Sequence, residues 1–529
     1  MLIRLITVIV AALLMAACDS QPGSSTEIAA QAEKPAEQNP AKGIDWFDGT
    51  VDEAFAVARE SGKPIYLYWG AVWCPPCHAI AATIFKSPEF IERSRLFVPV
   101  YLDGDTANAQ AYGEKFGVRG YPTMVVFNSS GVELTRIPGG IDIQAYANIL
   151  DVTLNNSSST SDLVAALMGE KVTLSTAECT LLAYHSWGQD THILEQYDDA
   201  EVFLRMHAAC PSEQSVQRSI LYMSWLDAVL NTEDEDDEFA PLSTDEIVAS
   251  RREVQAMLDD QELVAANIFT VLFAGPALTT ALTDPDSDER ATLKSSFHRE
   301  FDRLASDDSV YTRERIYTLL GKIRFERMDD EDAEISENLQ LEIQKMTAWA
   351  DESTPSVYER QPIINALANV LTEADMDDSA KSLLLAELER SKQPYYYMVT
   401  IADIEERAGN LEVAIEWLKK AHEATRGPAT RFQWGYYYLN GLLQMAPDNM
   451  QGIRDTTVAL IKELQESGGF YQRPKAQLGR LEKRLLAWSE EHGGAATIDE
   501  IRISVRAVCA AVPGNEDSLS TCESFLESV

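Results

Sequence analysis

The spacing of apolar and polar residues changes near residue 155 and divides the chain into two regions. Before it lie short apolar runs at 65–69, 96–102, 124–127 and 132–137, with a helical pattern after the first run. Runs of this length rich in Val, Ile, Tyr and Phe predict β-strands, so this region is predicted to be an α/β domain. Between 160 and 529, apolar residues recur every three or four positions, which predicts helices throughout. The polar segment 155–160 is the predicted linker.

A period of 34 residues is visible within the helical region. Similar residues recur at this offset: Ile364 and Met398, Leu367 and Ile401, Ala368 and Ala402, Ala374 and Ala408, Ala380 and Ala414, Leu384 and Leu418, Pro394 and Pro428. The small residues in this set resemble the tetratricopeptide signature, in which they let paired helices approach closely. We therefore predict an all-α solenoid over 160–529, with tetratricopeptide-like units near 364–428. A helical domain with chance periodicity is the alternative.

The N-terminus has the anatomy of an export signal. A basic residue and an apolar run occupy residues 1–17, and the run is shorter than the roughly 20 residues that span a bilayer. The segment Leu14–Cys18 resembles the lipobox of bacterial lipoproteins, which implies that Cys18 is lipidated. Asp19 resembles a signal for retention at the inner membrane. Residues 18–43, rich in Pro, Ala, Gln and Glu, are predicted to form a disordered tether. A cleaved signal beside a stray cysteine is the alternative.

Charge limits the classes of partner. The 529 residues include 84 acidic and 44 basic ones, a net charge of −40, of which −34 falls in 153–529. A polyanion repels nucleic acid, so general nucleic-acid binding is excluded, and broad contact with anionic lipid is disfavoured. The acidic surface is either simply solvated or a docking face for a basic partner.

Six of the seven cysteines fall into three neighbouring pairs, with Cys18 set apart. One pair is Cys74 with Cys77. In an exported protein disulfides can persist, and we predict structural bridges within the other two pairs, Cys179 with Cys210 and Cys509 with Cys522. Spacing alone does not fix connectivity, and free buried thiols are the alternative.

The most informative motif is Trp73-Cys-Pro-Pro-Cys77, between a predicted strand and a predicted helix. This order places Cys74 at a helix N-terminus, where unpaired N–H groups and the helix dipole stabilise a thiolate. Cys77 lies one turn further on the same face and can close a disulfide. Because thiolates attack disulfides, we predict that Cys74 is the nucleophile and Cys77 the resolving thiol.

Residues downstream extend the pattern: Gly120-Tyr-Pro-Thr123 precedes the strand 124–127, and a hairpin and a Gly-Gly pair follow. Together with the cysteine motif, residues 45–152 resemble a thioredoxin-fold domain, and we predict domain boundaries at 44–152 for this domain and 160–529 for the helical one. The part before Asp103 is similar to the C-terminal reductase domain of the periplasmic disulfide interchange protein. The resemblance implies that Pro122 is cis and faces the cysteine pair. It also implies that Tyr121 pairs with a substrate strand, and that Trp73 and Thr123 belong to the same substrate groove.

One position departs from the thioredoxin pattern. Thioredoxins usually carry a buried Asp six residues before the first cysteine, where this chain has Tyr68. That Asp helps to move a proton to and from the second cysteine, and a Tyr is a poor base near pH 7. The substitution puts fast general reductase behaviour in question.

Two other chemistries compete for the same cysteines. Cys74-Pro-Pro-Cys77-His78 also matches the attachment motif of c-type haem, but haem leaves the upstream strand, Trp73 and the Pro122 loop unexplained. Zinc needs four ligands, and no second CxxC or CxxH lies nearby. We therefore predict no bound cofactor and no metal, with His78 as a surface residue of the first helical turn.

Together these patterns predict a thiol–disulfide oxidoreductase, lipid-anchored on the periplasmic side of the inner membrane, that reduces disulfides of partner proteins. Its electron partner would be a membrane or periplasmic thiol protein, and nucleic acid is not expected as a partner. Oxidation or isomerisation are alternative directions. A non-catalytic scaffold of the cell envelope, acting through its helical repeats, is the competing class.

Overall fold

The computed structural model describes residues 43–155, 158–169, 173–230, 242–354, 357–467, 472–510 and 516–526. The predicted signal peptide, Cys18 and the tether up to residue 42 lie outside the described residues. Within the described ranges, no helix combines the length and the apolar character needed to cross a membrane.

Four strands form one sheet in the order β2-β1-β3-β4: β1 Ile65–Gly70, β2 Val98–Asp103, β3 Thr123–Phe127 and β4 Glu133–Ile137. Every residue of β1 and β3 is buried, as expected for the two inner strands. Strands β3 and β4 pair antiparallel with Met124 opposite Ile137. Gly131 takes a φ of +91° in the turn between them, a conformation that favours glycine.

Five helices accompany the sheet: α1 Val51–Ser61, α2 Pro75–Ala82, α3 Pro88–Ser94, α4 Ala107–Lys115 and α5 Ile143–Asn155. The helix predicted after the cysteine motif is interrupted, because Thr83 leaves helical geometry and a 3-10 turn follows at Ile84–Lys86. Strand β2 begins at Val98, two residues later than the predicted run, and Leu96 stays half exposed. The α/β fold predicted for this region is confirmed.

From residue 158 onward every described element is helical, which confirms the predicted all-α region. The α-helices are α6 Thr160–Gly169, α7 Thr176–Ala183, α8 Thr191–Leu194, α9 Asp199–Ala209, α10 Ser215–Leu230, α11 Thr244–Asp259, α12 Gln261–Ala266, α13 Gly275–Leu282, α14 Asp288–Ser306, α15 Thr312–Glu326, α16 Glu337–Ser353, α17 Val357–Glu373, α18 Asp377–Leu388, α19 Pro394–Arg407, α20 Leu411–Ala424, α21 Pro428–Met445, α22 Met450–Ser467, α23 Gln472–His492, α24 Ala495–Cys509 and α25 Glu516–Ser524.

The helix boundaries between α17 and α21 fit the 34-residue period. Helices α18 and α20 begin 34 residues apart, and so do α19 and α21. Asp375 and Gly409, also 34 residues apart, both take positive φ values in the turns between helices, +54° and +79°. Consecutive helices from α17 to α22 contact one another. The assignment to the tetratricopeptide class stays a prediction.

The described chain divides into two compact units that do not follow its linear order. The first contains the residues up to Tyr68, Ala79–Tyr101 and Thr123–Ala350. The second contains Trp69–His78, Leu102–Pro122 and the residues from Asp351 onward. The cysteine motif therefore belongs to the same compact unit as the helices after residue 351. The linear boundaries 44–152 and 160–529 stay predictions.

The structure joins Cys179 to Cys210 and Cys509 to Cys522, with Cα separations of 5.5 and 5.7 Å. The first bridge ties α7 to the residue that ends α9. The second ties the end of α24 to α25. All four cysteines are buried, which suits structural rather than exchanging disulfides.

Replacing both Cys179 and Cys210 by Ser should lower the free energy of unfolding. The bridge closes a loop of 31 residues, and such a loop restricts the unfolded chain by about 3–4 kcal/mol. Urea unfolding followed by circular dichroism measures the loss. The matched control replaces Cys74 and Cys77, only three residues apart, where about half that loss is expected. Equal losses in the two double variants would contradict the loop-length explanation.

Candidate active site

Cys74 precedes α2 directly, and Cys77 is the third residue of that helix. The two form a disulfide with Cα atoms 5.2 Å apart. The backbone N–H of Cys77 donates to Cys74 Sγ over 3.2 Å, the contact that a Ser or Asp oxygen makes at an ordinary N-cap. After reduction, this N–H and the helix dipole would stabilise a Cys74 thiolate. The position suits Cys74 as the attacking sulfur.

Tyr121 and Pro122 lie beside the pair. Their peptide bond is cis, and the Tyr121 carbonyl oxygen lies 3.5 Å from Cys74 Sγ. The Gln110 side-chain amide donates to the Tyr121 hydroxyl over 2.9 Å and also to the Gly104 carbonyl. A Cβ on Gly104 would stand 2.5 Å from the Tyr121 ring. Gly104, directly after β2, therefore allows the Tyr121 ring to pack against the backbone.

Aromatic residues from α19 and α21 cover the cysteine motif. The Trp434 ring meets Trp73 edge-on, with centroids 5.2 Å apart. Trp434 Nε1 donates to the Tyr395 carbonyl over 3.0 Å, and their rings lie 4.9 Å apart. Under this cover Cys74 and Cys77 are only 2% and 3% exposed. The disulfide therefore presents almost no surface to solvent.

Two polar contacts join the same parts of the chain. Gln361 of α17 donates to the Trp73 carbonyl over 3.2 Å. Asp105, in the turn after β2, accepts from the Thr430 backbone N–H at 2.8 Å and from its hydroxyl at 2.6 Å. Thr430 is the third residue of α21, whose own N-cap is Gly427. Since a glycine has no side chain with which to cap, Asp105 supplies the capping carboxylate from elsewhere in the chain.

His78 is buried in α2, with 4% of its surface exposed. The prediction of a surface histidine was wrong, because the chain beyond residue 351 contributes Gln361 to its surroundings. Burial lowers the pKa of His78 to about 4, and hydrogen bonds involving Gln361 and the Val72 backbone act in the opposite direction. His78 is therefore neutral near pH 7 and brings no positive charge to the sulfurs.

Tyr68 belongs to an aromatic core in the first compact unit. Its ring lies 4.8 Å from that of Phe85 and stacks on Tyr101 at 5.5 Å. It is 1% exposed. Where thioredoxins usually carry an acid, this chain thus has a packing residue.

Most of the predicted site residues come together in the structure. Trp73, Cys74, Cys77 and Tyr121 share one cluster with residues of α19–α21, and Pro122 follows Tyr121 through the cis bond. Thr123 begins β3 and is fully buried. Among the described residues, no group of three or more His, Cys, Asp or Glu side chains is arranged to hold a metal ion.

Sequence reasoning missed Gln361, Tyr395 and Trp434 beside the motif, and the contact between Asp105 and Thr430. The apolar spacing predicted helices throughout this region, and the aromatic residues were visible in Pro394–Tyr397 and Trp434–Tyr438. No local pattern indicated that these residues face a motif more than 280 positions earlier.

Comparison with known proteins shows what the first part of the chain is similar to. A family of thioredoxin-like domains matches residues 51–153. Thioredoxin of Haemophilus influenzae is 31% identical over 97 residues, which are 18% of this chain and 85% of that protein. The chain belongs to the thioredoxin family.

Two larger relatives are also similar to part of the chain. Thiol:disulfide interchange protein DsbD 1 of Pseudomonas aeruginosa is 30% identical over 104 residues, 19% of this chain and 18% of that protein. Protein disulfide-isomerase erp38 of Neurospora crassa is 28% identical over 95 residues, 18% of this chain and 25% of that protein. The chain thus matches a quarter or less of the length of these two relatives. A thioredoxin-like domain with a Cys74–Cys77 pair supports thiol–disulfide oxidoreductase chemistry.

The pKa of His78 can be measured by NMR of histidine-labelled protein. The resonance missing from His78→Gln should titrate with a midpoint near pH 4, because burial disfavours the charged ring. An unfolded chain protonates the ring near 6.5, so His78 makes the folded state lose stability as pH falls from about 6.5 to 4, by up to about 1.4 kcal/mol per pH unit. A midpoint near 6.5 would show that the ring is solvated.

Proposed function

We propose that this protein is a lipid-anchored thiol–disulfide oxidoreductase of the periplasmic side of the inner membrane, and that it reduces disulfides of partner proteins. The observation that carries the chemistry is the capping position of Cys74, with the Cys77 N–H 3.2 Å from its sulfur. A sulfur held at a helix N-terminus is set up for nucleophilic attack.

The reaction begins with the reduced protein. The Cys74 thiolate attacks one sulfur of the partner disulfide, the partner S–S bond breaks, and the released partner thiolate takes up a proton. Cys77, having lost its proton, then attacks Cys74 in the mixed disulfide and releases the second partner thiol. Two electrons pass to the partner, and Cys74–Cys77 becomes a disulfide. A dithiol protein of the membrane or periplasm would restore the reduced pair by the reverse exchange.

Reduction is the favoured direction because the sequence resembles the reductase domain of the disulfide interchange protein, and a relative named a thiol:disulfide interchange protein matches 104 residues of the chain. Oxidation and isomerisation use the same two cysteines and differ in reduction potential. A potential near that of thioredoxin, about −270 mV, would support a reductase, and one near about −120 mV an oxidant.

The location rests on the N-terminal signal and on the cysteine pairs. The signal and the lipobox-like segment support export and lipidation at Cys18. The two buried disulfides outside the redox motif are compatible with an oxidising compartment. The acidic surface of the helical region would favour basic partner proteins by electrostatic attraction. A non-catalytic scaffold is the second candidate, favoured by the size of the helical region.

Insulin reduction with dithiothreitol as electron donor separates the two candidates. The full chain should accelerate insulin reduction over the uncatalysed background, and Cys74→Ser should return it to that background because the attacking sulfur is gone. Cys77→Ser keeps the attacking sulfur but loses the resolving one, so it should accumulate mixed disulfides with partners on Cys74. A wild-type chain no faster than Cys74→Ser would leave the scaffold as the better explanation.

Cys18→Ser should release the protein from membranes. Lipid chains hold a protein by burying CH₂ groups at about 0.8 kcal/mol each, and the variant has no attachment site for them. Cell fractionation followed by immunoblotting measures the distribution. As a control, Cys74→Ser should stay with the membrane fraction. Unchanged membrane association of Cys18→Ser would rule out Cys18 as the anchor.

A further inference from the structure

We propose that the helical layer formed by α17–α21 is a lid on the Cys74–Cys77 disulfide, held shut by the contact between Asp105 and Thr430. Partner proteins and reductants reach the disulfide only after the lid has moved away from segments 69–78 and 102–122. The proposal rests on the proposed function only in taking this pair as the redox centre.

Burial of the redox pair is the first argument. Cys74 and Cys77 are 2% and 3% exposed, within the range of the four cysteines in the other two bridges, which are 0–4% exposed. Thiol–disulfide exchange needs a thiolate to approach a sulfur atom directly. The redox pair must exchange electrons with other proteins, whereas the two structural bridges need not. Even so, the redox pair is as inaccessible as those bridges. The closed arrangement is therefore not the one in which exchange takes place.

The second argument is what the lid covers. Trp434 and Tyr395 pack in one cluster with Trp73, and Tyr121 lies against that cluster. Tyr121 is also the residue whose backbone is expected to pair with a substrate strand, and its carbonyl oxygen lies 3.5 Å from Cys74 Sγ. The lid thus occupies the side of the motif at which a partner would dock, and lid and partner compete for the same surface.

The third argument is how the lid is held. Asp105 accepts both the backbone N–H and the hydroxyl of Thr430 at the start of α21. A carboxylate at a helix N-terminus is favoured by the helix dipole and by charge-assisted hydrogen bonds. Gly427 leaves room for it, since a Cβ there would stand 2.8 Å from the Asp105 carboxyl carbon. Further contacts are the hydrogen bond from Gln361 to the Trp73 carbonyl and the packing of α23 against α4.

Weakening the contact from either side should expose the disulfide. In Asp105→Ala the cap is lost, and in Thr430→Val the hydroxyl is lost while the side-chain volume is kept. Loss of a capping contact shifts an equilibrium by about 5- to 30-fold. We expect dithiothreitol to open Cys74–Cys77 faster by that factor in Asp105→Ala, and by a smaller factor in Thr430→Val. Acid quenching, alkylation and mass spectrometry of the peptide with both cysteines give the rate.

The matched control is Asp198→Ala. Asp198 caps α9 by accepting the Glu201 N–H over 2.7 Å, so the variant loses the same kind of contact within the first compact unit. In this variant the Cys74–Cys77 disulfide should open at the wild-type rate. Thermal melts of all variants confirm that each is folded at the assay temperature.

Two outcomes would overturn the lid. One is an unchanged opening rate in both Asp105→Ala and Thr430→Val while both are folded. The other is an equal acceleration in Asp198→Ala, which would indicate general loosening. The opening rate is measured without a partner protein, so it tests the lid even if insulin reduction fails. Conversely, loss of insulin reduction in Cys74→Ser with unchanged opening in the lid variants would support the proposed function and reject the lid.

Discussion

The redox site depends on one constraint: an acid in the turn after β2 caps a helix that begins more than 320 residues later. The Asp105 carboxylate and the Thr430 N–H hold α21 against the segment that carries the cysteine motif. Trp434 on that helix then lies edge-on to Trp73. Because the contact is both charged and directional, it fixes the position of the helix more closely than apolar packing alone would. The surroundings of Cys74 and Cys77 follow from that position.

This arrangement has two opposing effects on the stability of a cysteine thiolate at the site. The start of α2 favours a thiolate through the Cys77 N–H and the helix dipole. The aromatic cover removes water, and desolvation disfavours any charged sulfur that has too few hydrogen bonds. His78 does not change the balance, since burial keeps its ring neutral. A lid that moves would separate these effects in time, with the disulfide protected when closed and the helix N-terminus available to the thiolate when open.

The departure at Tyr68 has a structural explanation. Its ring fills a cluster with Phe85 and Tyr101, and an acid in such a cluster would need a buried partner to offset its desolvation. The chain has thus exchanged a proton-transfer group for packing.

The strands, the cysteine motif and its chemistry could be predicted from the sequence, because each depends on residues a few positions apart. Short apolar runs of strand-forming residues mark β1 to β4, and a CxxC before a helix places its first sulfur at the helix N-terminus whatever surrounds it. The period of 34 was also visible, and the boundaries of α18 to α21 fit it. Even so, the helix after the motif breaks at Thr83, which the helical pattern predicted after the first strand did not indicate. The folded structure was needed to show that His78 is buried, that Asp105 caps α21, and that Trp434 and Tyr395 cover the disulfide. These contacts join residues hundreds of positions apart, and hydrophobic periodicity reports which face of a helix is buried but not against which part of the chain it packs.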